Sequence, residues 1–182
     1  MNKNDLRIVK TKQNIHKSLL YLLKNKPLSQ IKITELCREA TINRGTFYFH
    51  YEEVGDVFLE LFQEIMFDLK QSYEEPYKKG FLMGENELDP QMIQIFHHVK
   101  KYEDFYKVVL SEDVPMKYYY MLYDEVRSLM AMSNNLNMNK FFQAYSANAI
   151  IGLIIEWYRT GFEKTVNDMN EELVKIVKYK LL

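Results

Sequence analysis

The stretch Ile33 to Tyr51, ITELCREATINRGTFYFHY, constrains the chain more than any other. Leu36, Cys37 and Ala40 fall at i, i+1 and i+4, giving a short helix one apolar face. Ala40-Thr41-Ile42-Asn43 makes a tight turn, with Ile42 as an apolar plug between two helices. Asn43 suits the N-cap of the second helix, because its side-chain oxygen accepts from an unpaired backbone N–H. That helix, Arg44 to His50, gathers an arginine, a threonine, a histidine and the hydroxyls of Tyr48 and Tyr51. A short helix with donors near its N-terminus is what a DNA major groove accepts. The stretch therefore reads as a helix-turn-helix, with Arg44 to Tyr51 as the recognition element.

Charge supports this division of labour. Residues 1 to 50 hold ten Lys/Arg against three Asp/Glu, a net of +7, whereas the remainder carries −8. A basic head on an acidic body fits a polyanion-binding module joined to something else. With 47% hydrophobic and 14% aromatic residues there is ample material for a core in the body. The one cysteine cannot form an internal disulfide, and neither a secretory signal nor an apolar run of 18 residues is present. These features suggest a cytoplasmic protein with no membrane span.

The run Ala40-Thr41-Ile42-Asn43-Arg44-Gly45-Thr46-Phe47-Tyr48-Phe49-His50-Tyr51 resembles the signature of TetR-type (TetR/AcrR) transcriptional regulators, roughly A-G-[VI]-[SN]-x-G-T-[LF]-Y-x-[HY]-F. The resemblance is dense over about residues 11 to 62. It implies an all-α protein: a three-helix DNA-binding head, residues 1–53, and a larger helical ligand-binding and dimerisation domain, residues 54–182. It also implies DNA contacts from Arg44, Gly45, Thr46, Phe47, Tyr48, His50 and Tyr51, with Arg44, Gly45 and Thr46 in the groove. Phe47 has a second reading as core beneath the helix. Three positions depart from the pattern. Lys32 stands where the family has a capping Thr, leaving Thr34 or Ser29 to cap, and Thr41 replaces the usual turn glycine. Val54, flanked by Glu52, Glu53 and Asp56, stands where the family places a phosphate-gripping lysine.

Along the rest of the chain, residues 1–10 read as a ragged arm carrying Lys3, Arg7 and Lys10. Ile15, Leu19, Leu22 and Leu23 give a bracing helix from Thr11 to Asn25, ended by Pro27. Phe58, Leu61, Phe62, Ile65, Met66 and Leu69 mark a long helix from Val54 to about Tyr73, followed by a polar loop, Glu74 to Leu88. Asp89-Pro90 opens the next helix, and Tyr102 to Leu110 forms another. The pair His97-His98 makes poor joint metal ligands, since neighbouring helical residues diverge by about 100°. The segment MKYYYMLYDEVRSLMAM offers aromatic and methionine side chains that serve as core or as adaptable pocket lining. Asn134, Asn135, Asn137 and Asn139 mark a turn before the most apolar helix, Phe141 to Phe162. Thr165 with Asp168 caps a last helix whose stripe is Leu173, Ile176, Val177 and Leu181.

No phosphate loop, H-E-x-x-H, C-x-x-C or G-x-S-x-G occurs, so no enzyme, cofactor or metal is expected. The expectation is a regulator of transcription, acting as a repressor on a palindromic double-stranded operator. It would be a homodimer through its last two helices, released by a small hydrophobic ligand. Tyr118, Tyr119, Tyr123 and Trp157 are the candidate ligand contacts. The alternative is the same fold controlled by, or controlling, a protein partner.

Overall fold

A computed structural model describes residues 3–78, 90, 93–132 and 139–179. All regular structure among them is helical: α1 (Lys3–Leu23), α2 (Ile33–Glu39), α3 (Arg44–Tyr48), α4 (Val54–Lys78), α5 (Ile95–Lys101), α6 (Glu103–Val109), α7 (Met116–Met132), α8 (Lys140–Arg159) and α9 (Val166–Tyr179), with a 3-10 turn at Leu28–Gln30. The chain is all-α, as the resemblance implies. It divides into two compact units, Met1–Ile65 with Ser111–Pro115, and Met66–Leu110 with Met116–Leu182. This division cuts inside α4, because Val54, Val57, Phe58 and Leu61 are buried with the head.

In the first unit α1 packs on α2, and α2 on α3. Ile15, Leu19 and Leu22 are buried at the expected spacing. The expected ragged arm is instead helical from Lys3. Leu6, Ile8 and Val9 stay exposed, so those turns carry no apolar stripe that would announce a helix. The cap of α2 is Lys32 with no side-chain bond, so neither Thr34 nor Ser29 substitutes there. Helix α2 ends with Thr41 N–H donating to Arg38 O (3.2 Å) and Ile42 N–H to Cys37 O (3.0 Å). This is a Schellman ending, which needs a left-handed residue at its centre. Thr41 takes that role at φ 53°, at a cost of about 1–2 kcal/mol for a residue with a Cβ.

In the second unit α7 packs on α8, and α5 on α6 and α9. Helix α4 runs to Lys78, past the expected end at Tyr73 and through Pro76. A proline so near a helix end forfeits a single backbone bond where fraying already weakens the ladder. Residues 79–88 of the expected loop and Asp89 of the expected cap lie outside the described residues, as do Asn134, Asn135, Asn137 and Leu181. Helix α5 starts at Ile95, not at Asp89-Pro90; Pro90 instead accepts from Ile93 N–H (3.3 Å) in a 3-10 turn.

Asn139 caps α8 by accepting from Phe141 and Phe142 N–H, both at 3.0 Å. Helix α8 stops at Arg159 with a second Schellman ending: Gly161 N–H reaches Tyr158 O (2.9 Å) and Phe162 N–H reaches Trp157 O (2.8 Å). Gly161 supplies the left-handed φ of 69°, and Phe162 follows at φ 57° with its ring 5.0 Å from that of Trp157. Before α9, Thr165 N–H donates to Asp168 (2.9 Å) and Asp168 N–H to Thr165 Oγ1 (3.2 Å), a reciprocal capping box.

Candidate nucleic-acid interface

Helix α3 is set by its cap. Asn43 Oδ1 accepts from Thr46 N–H at 2.8 Å and from the Thr46 hydroxyl at 3.2 Å. A Cβ on Gly45 would stand 3.2 Å from that oxygen, so the glycine leaves room for the cap as well as for a close-approaching ligand. Arg44 is exposed, bonded to the Tyr48 hydroxyl (3.3 Å) and stacked over its ring. Thr46 and His50 are half-buried and Tyr48 is exposed. His50 is held below the ordinary histidine range, by burial first and then by the Lys12 charge.

Phe47 and Tyr51 lie beneath this face, not on it. Phe47 is wholly buried, in edge contact with Tyr48 and tilted on Tyr51. Tyr51 is buried, and its hydroxyl donates to Glu60 Oε2. His16 Nε2 lies 3.2 Å from the same hydroxyl and its Nδ1 3.3 Å from Glu64, while Lys12 donates to Glu60 at 2.6 Å. This network joins α1, the end of the recognition element and α4. Burial lowers the His16 pKa against the opposing pull of Glu64 and Glu60. Burial pushes Glu60 up, but hydrogen bonds from Lys12 and Tyr51 outweigh it and hold the carboxyl below its usual range. Burial, reinforced by the bond to Glu60, raises the Tyr51 phenol. Cys37 is buried, and burial pushes its thiol up.

Two features of the head escaped the sequence reading. Phe49 is 75% exposed, edge-on to His50 at the tip of α3; its one signal is that it fills one of the two variable positions of the motif. His16 gave no signal, because its carboxylate partners lie more than forty residues away. Val54 is buried, so the position where the family places a lysine is not on the surface of this chain.

The model of a TetR-type "Transcriptional regulator C-terminal region" matches residues 86–179. The chain belongs to the TetR family of transcriptional regulators. Solved TetR-family structures share the fold along nearly the whole chain. A TetR transcriptional regulator from Streptococcus agalactiae 2603V is 20% identical, covering 96% of this chain and 97% of its own, with a TM-score of 0.67. A TetR/AcrR-type regulator from Aquifex aeolicus VF5 is 14% identical, covering 93% and 98%, at 0.66. NalD, the secondary repressor of the MexAB-OprM multidrug efflux pump in Pseudomonas aeruginosa, is 16% identical, covering 91% and 92%, at 0.60. No curated protein matches.

In this TetR-family body the four expected ligand contacts are not equivalent. Tyr118 and Trp157 are core residues. Trp157 packs edge-on against Phe96 at 5.9 Å, and its Nε1 donates to Lys164 O at 3.0 Å. Tyr119 and Tyr123 are half-buried, and the Tyr119 hydroxyl reaches Asn148 at 3.4 Å. A cleft of about 670 Å³ lies elsewhere, in the head, between α1 and the Ala40–Ile42 turn. Among the described residues no helix is long and apolar enough to cross a membrane.

Proposed function

We propose that this TetR-family regulator is a homodimeric repressor of a near-palindromic operator, read by residues 1–53 and released by a small apolar ligand held in residues 54–182. The observation that carries the DNA reading is the outward face of α3, where Arg44, Thr46, Tyr48 and His50 surround a glycine on a helix pinned by Asn43. Arg44 would donate two bonds to a guanine edge, worth about 1–3 kcal/mol of discrimination. Thr46, Tyr48 and His50 would orient the helix against phosphates. Two heads related by a two-fold axis would enter successive major grooves.

Dimerisation through α8 and α9 is supported by an exposed stripe along α8: Phe141, Tyr145, Asn148, Gly152, Glu156 and Arg159. Tyr119 and Tyr123 are the ligand candidates with accessible surface, whereas Tyr118 and Trp157 are buried. Release requires the ligand to bind the non-operator state better than the DNA-competent one. The repressor sense follows NalD, which is named a repressor. Exposed Met116 and Tyr120 on α7 favour a second reading, in which a protein partner takes the ligand's place.

Selection of bound duplexes from a random pool tests the first reading. It predicts a palindrome whose preference at one guanine is lost in Arg44→Ala; binding without sequence preference would overturn it. Trp157 emission that stays flat across a panel of hydrophobic compounds would remove the small-ligand part.

A further inference from the structure

The start of α4, just after the recognition element, already holds a carboxylate of the chain itself. Asp56 accepts from the backbone N–H of Glu52 (3.0 Å) and Glu53 (2.9 Å), so the chain's own carboxylate fills the positive end of the helix. Glu52 and Glu53 are themselves exposed beside it. The turn that leads into α3 has the opposite character. Its cleft against α1 is lined by Arg7, Lys10 and Lys17 and by no carboxylate. The three cations fall at i, i+3 and i+10 on one helical face, spanning ~15 Å. None forms an ion pair among the described residues. Between them Asn14 donates to Ala40 O at 2.6 Å, fixing that face of α1 against the turn.

We propose that the Arg7–Lys10–Lys17 cleft is a phosphate-binding site that grips the DNA backbone beside the half-site read by α3, taking the anchoring role that the acidic start of α4 cannot fill. The proposal rests on the DNA-reading assignment above. Its chemistry would equally accept a free phosphate or pyrophosphate, so the test separates the two sources.

The selected duplex is titrated with salt against the unmodified protein, Arg7→Ala/Lys10→Ala, and a charge-matched control, Lys117→Ala/Lys178→Ala, whose sites lie in the second unit. Pyrophosphate binding without DNA is measured by calorimetry on the same proteins. With two charges removed from each of two heads, the cleft variant is expected to flatten the log K against log[salt] slope by about 3.6 and to bind roughly 1,000-fold more weakly at 0.15 M salt, with base preference unchanged. Pyrophosphate binding that disappears in the variant while its DNA slope stays unchanged would keep the phosphate site but overturn the DNA occupant. No change in either measurement, or an equal flattening in the control, overturns the site itself. Absence of sequence preference in the unmodified protein would instead sink the regulator reading and leave the cleft to be judged by its slope.

Discussion

The head and the body use the same two devices with different fillings. Each stops a helix with a Schellman ending, after α2 in the head and after α8 in the body. The head places Thr41 at the left-handed position and half-buried Ile42 next; the body places Gly161 there and buried Phe162 next. Each also hangs a buried histidine, a tyrosine and a lysine on a carboxylate of α4. In the head the tyrosine is the bridge, since Tyr51 touches both Glu60 and His16. In the body the histidine is the bridge: His98 Nδ1 lies 3.0 Å from the Tyr106 hydroxyl and its Nε2 3.6 Å from Asp68, which also takes Lys101 at 2.9 Å. Lys101 is largely exposed whereas Lys12 is half-buried. The head network is the more desolvated at its cation, and the body ending is the better packed; each ending holds one non-glycine residue at positive φ, Thr41 in the head and Phe162 in the body.

The contrast is tested most strongly at the residues that follow the two left-handed turns. Phe162→Ala should cost about 3–5 kcal/mol, because it empties the space against Trp157, while Ile42→Ala should cost about half as much at a half-buried site. Urea titration of both variants checks this; equal losses would mean that the two endings carry the same packing. Next in size, Glu60→Gln should cost about 1.5–3 kcal/mol through weakened bonds to Lys12 and Tyr51. Asp68→Asn should lose under about 1 kcal/mol from its pair with solvent-screened Lys101. A double-mutant cycle of each carboxylate with its lysine reads the difference, and a larger coupling at Asp68 would reverse the ranking.

Acid should separate the networks further. Burial lowers the His16 pKa, while Glu60, Glu64, Lys12 and Tyr51 face the ring. Its folded pKa lies below the unfolded value, so its contribution is present above about pH 6.5 and is lost as pH falls through the lowered value. Glu60, also lowered, loses its contribution at still lower pH. Stability measured from pH 7 to 5 should therefore decline, and His16→Gln should flatten that decline. A slope unchanged by the substitution would remove His16 from the account. The smallest effect is expected at Thr41 and Gly161, the central residues of the two endings. Thr41→Gly relieves Cβ strain but loosens the unfolded chain, for a net gain of up to about 1 kcal/mol. Gly161→Thr should lose a similar amount, and a loss on Thr41→Gly would show that the hydroxyl or methyl makes a contact worth more than the strain.

Local grammar made the reading surface legible. The cap at Asn43, the apolar positions of α2 and the Thr165–Asp168 box each lie within a few residues of the group they satisfy, and the structure forms all three. What escaped depends on distance along the chain or on the lack of a pattern. His16 is one polar residue in a helix until Glu60 and Glu64 close over it. The first turns of α1 bury no stripe, and α4 continues through a proline that normally signals an end. Motif position assigns Tyr51 to DNA, yet its buried surroundings turn its hydroxyl inward to Glu60.

The contact between the capping oxygen of Asn43 and the empty β-position of Gly45 has a consequence for inheritance. A side chain at 45 crowds the cap, and a capless residue at 43 removes the reason to exclude one, so the two positions should tolerate change together more readily than apart. In a library randomised at both, Gly45→Ala should be enriched in backgrounds where position 43 no longer accepts a hydrogen bond. The two positions would then drift as one mutational unit, so a new base preference at the start of this helix would require paired changes.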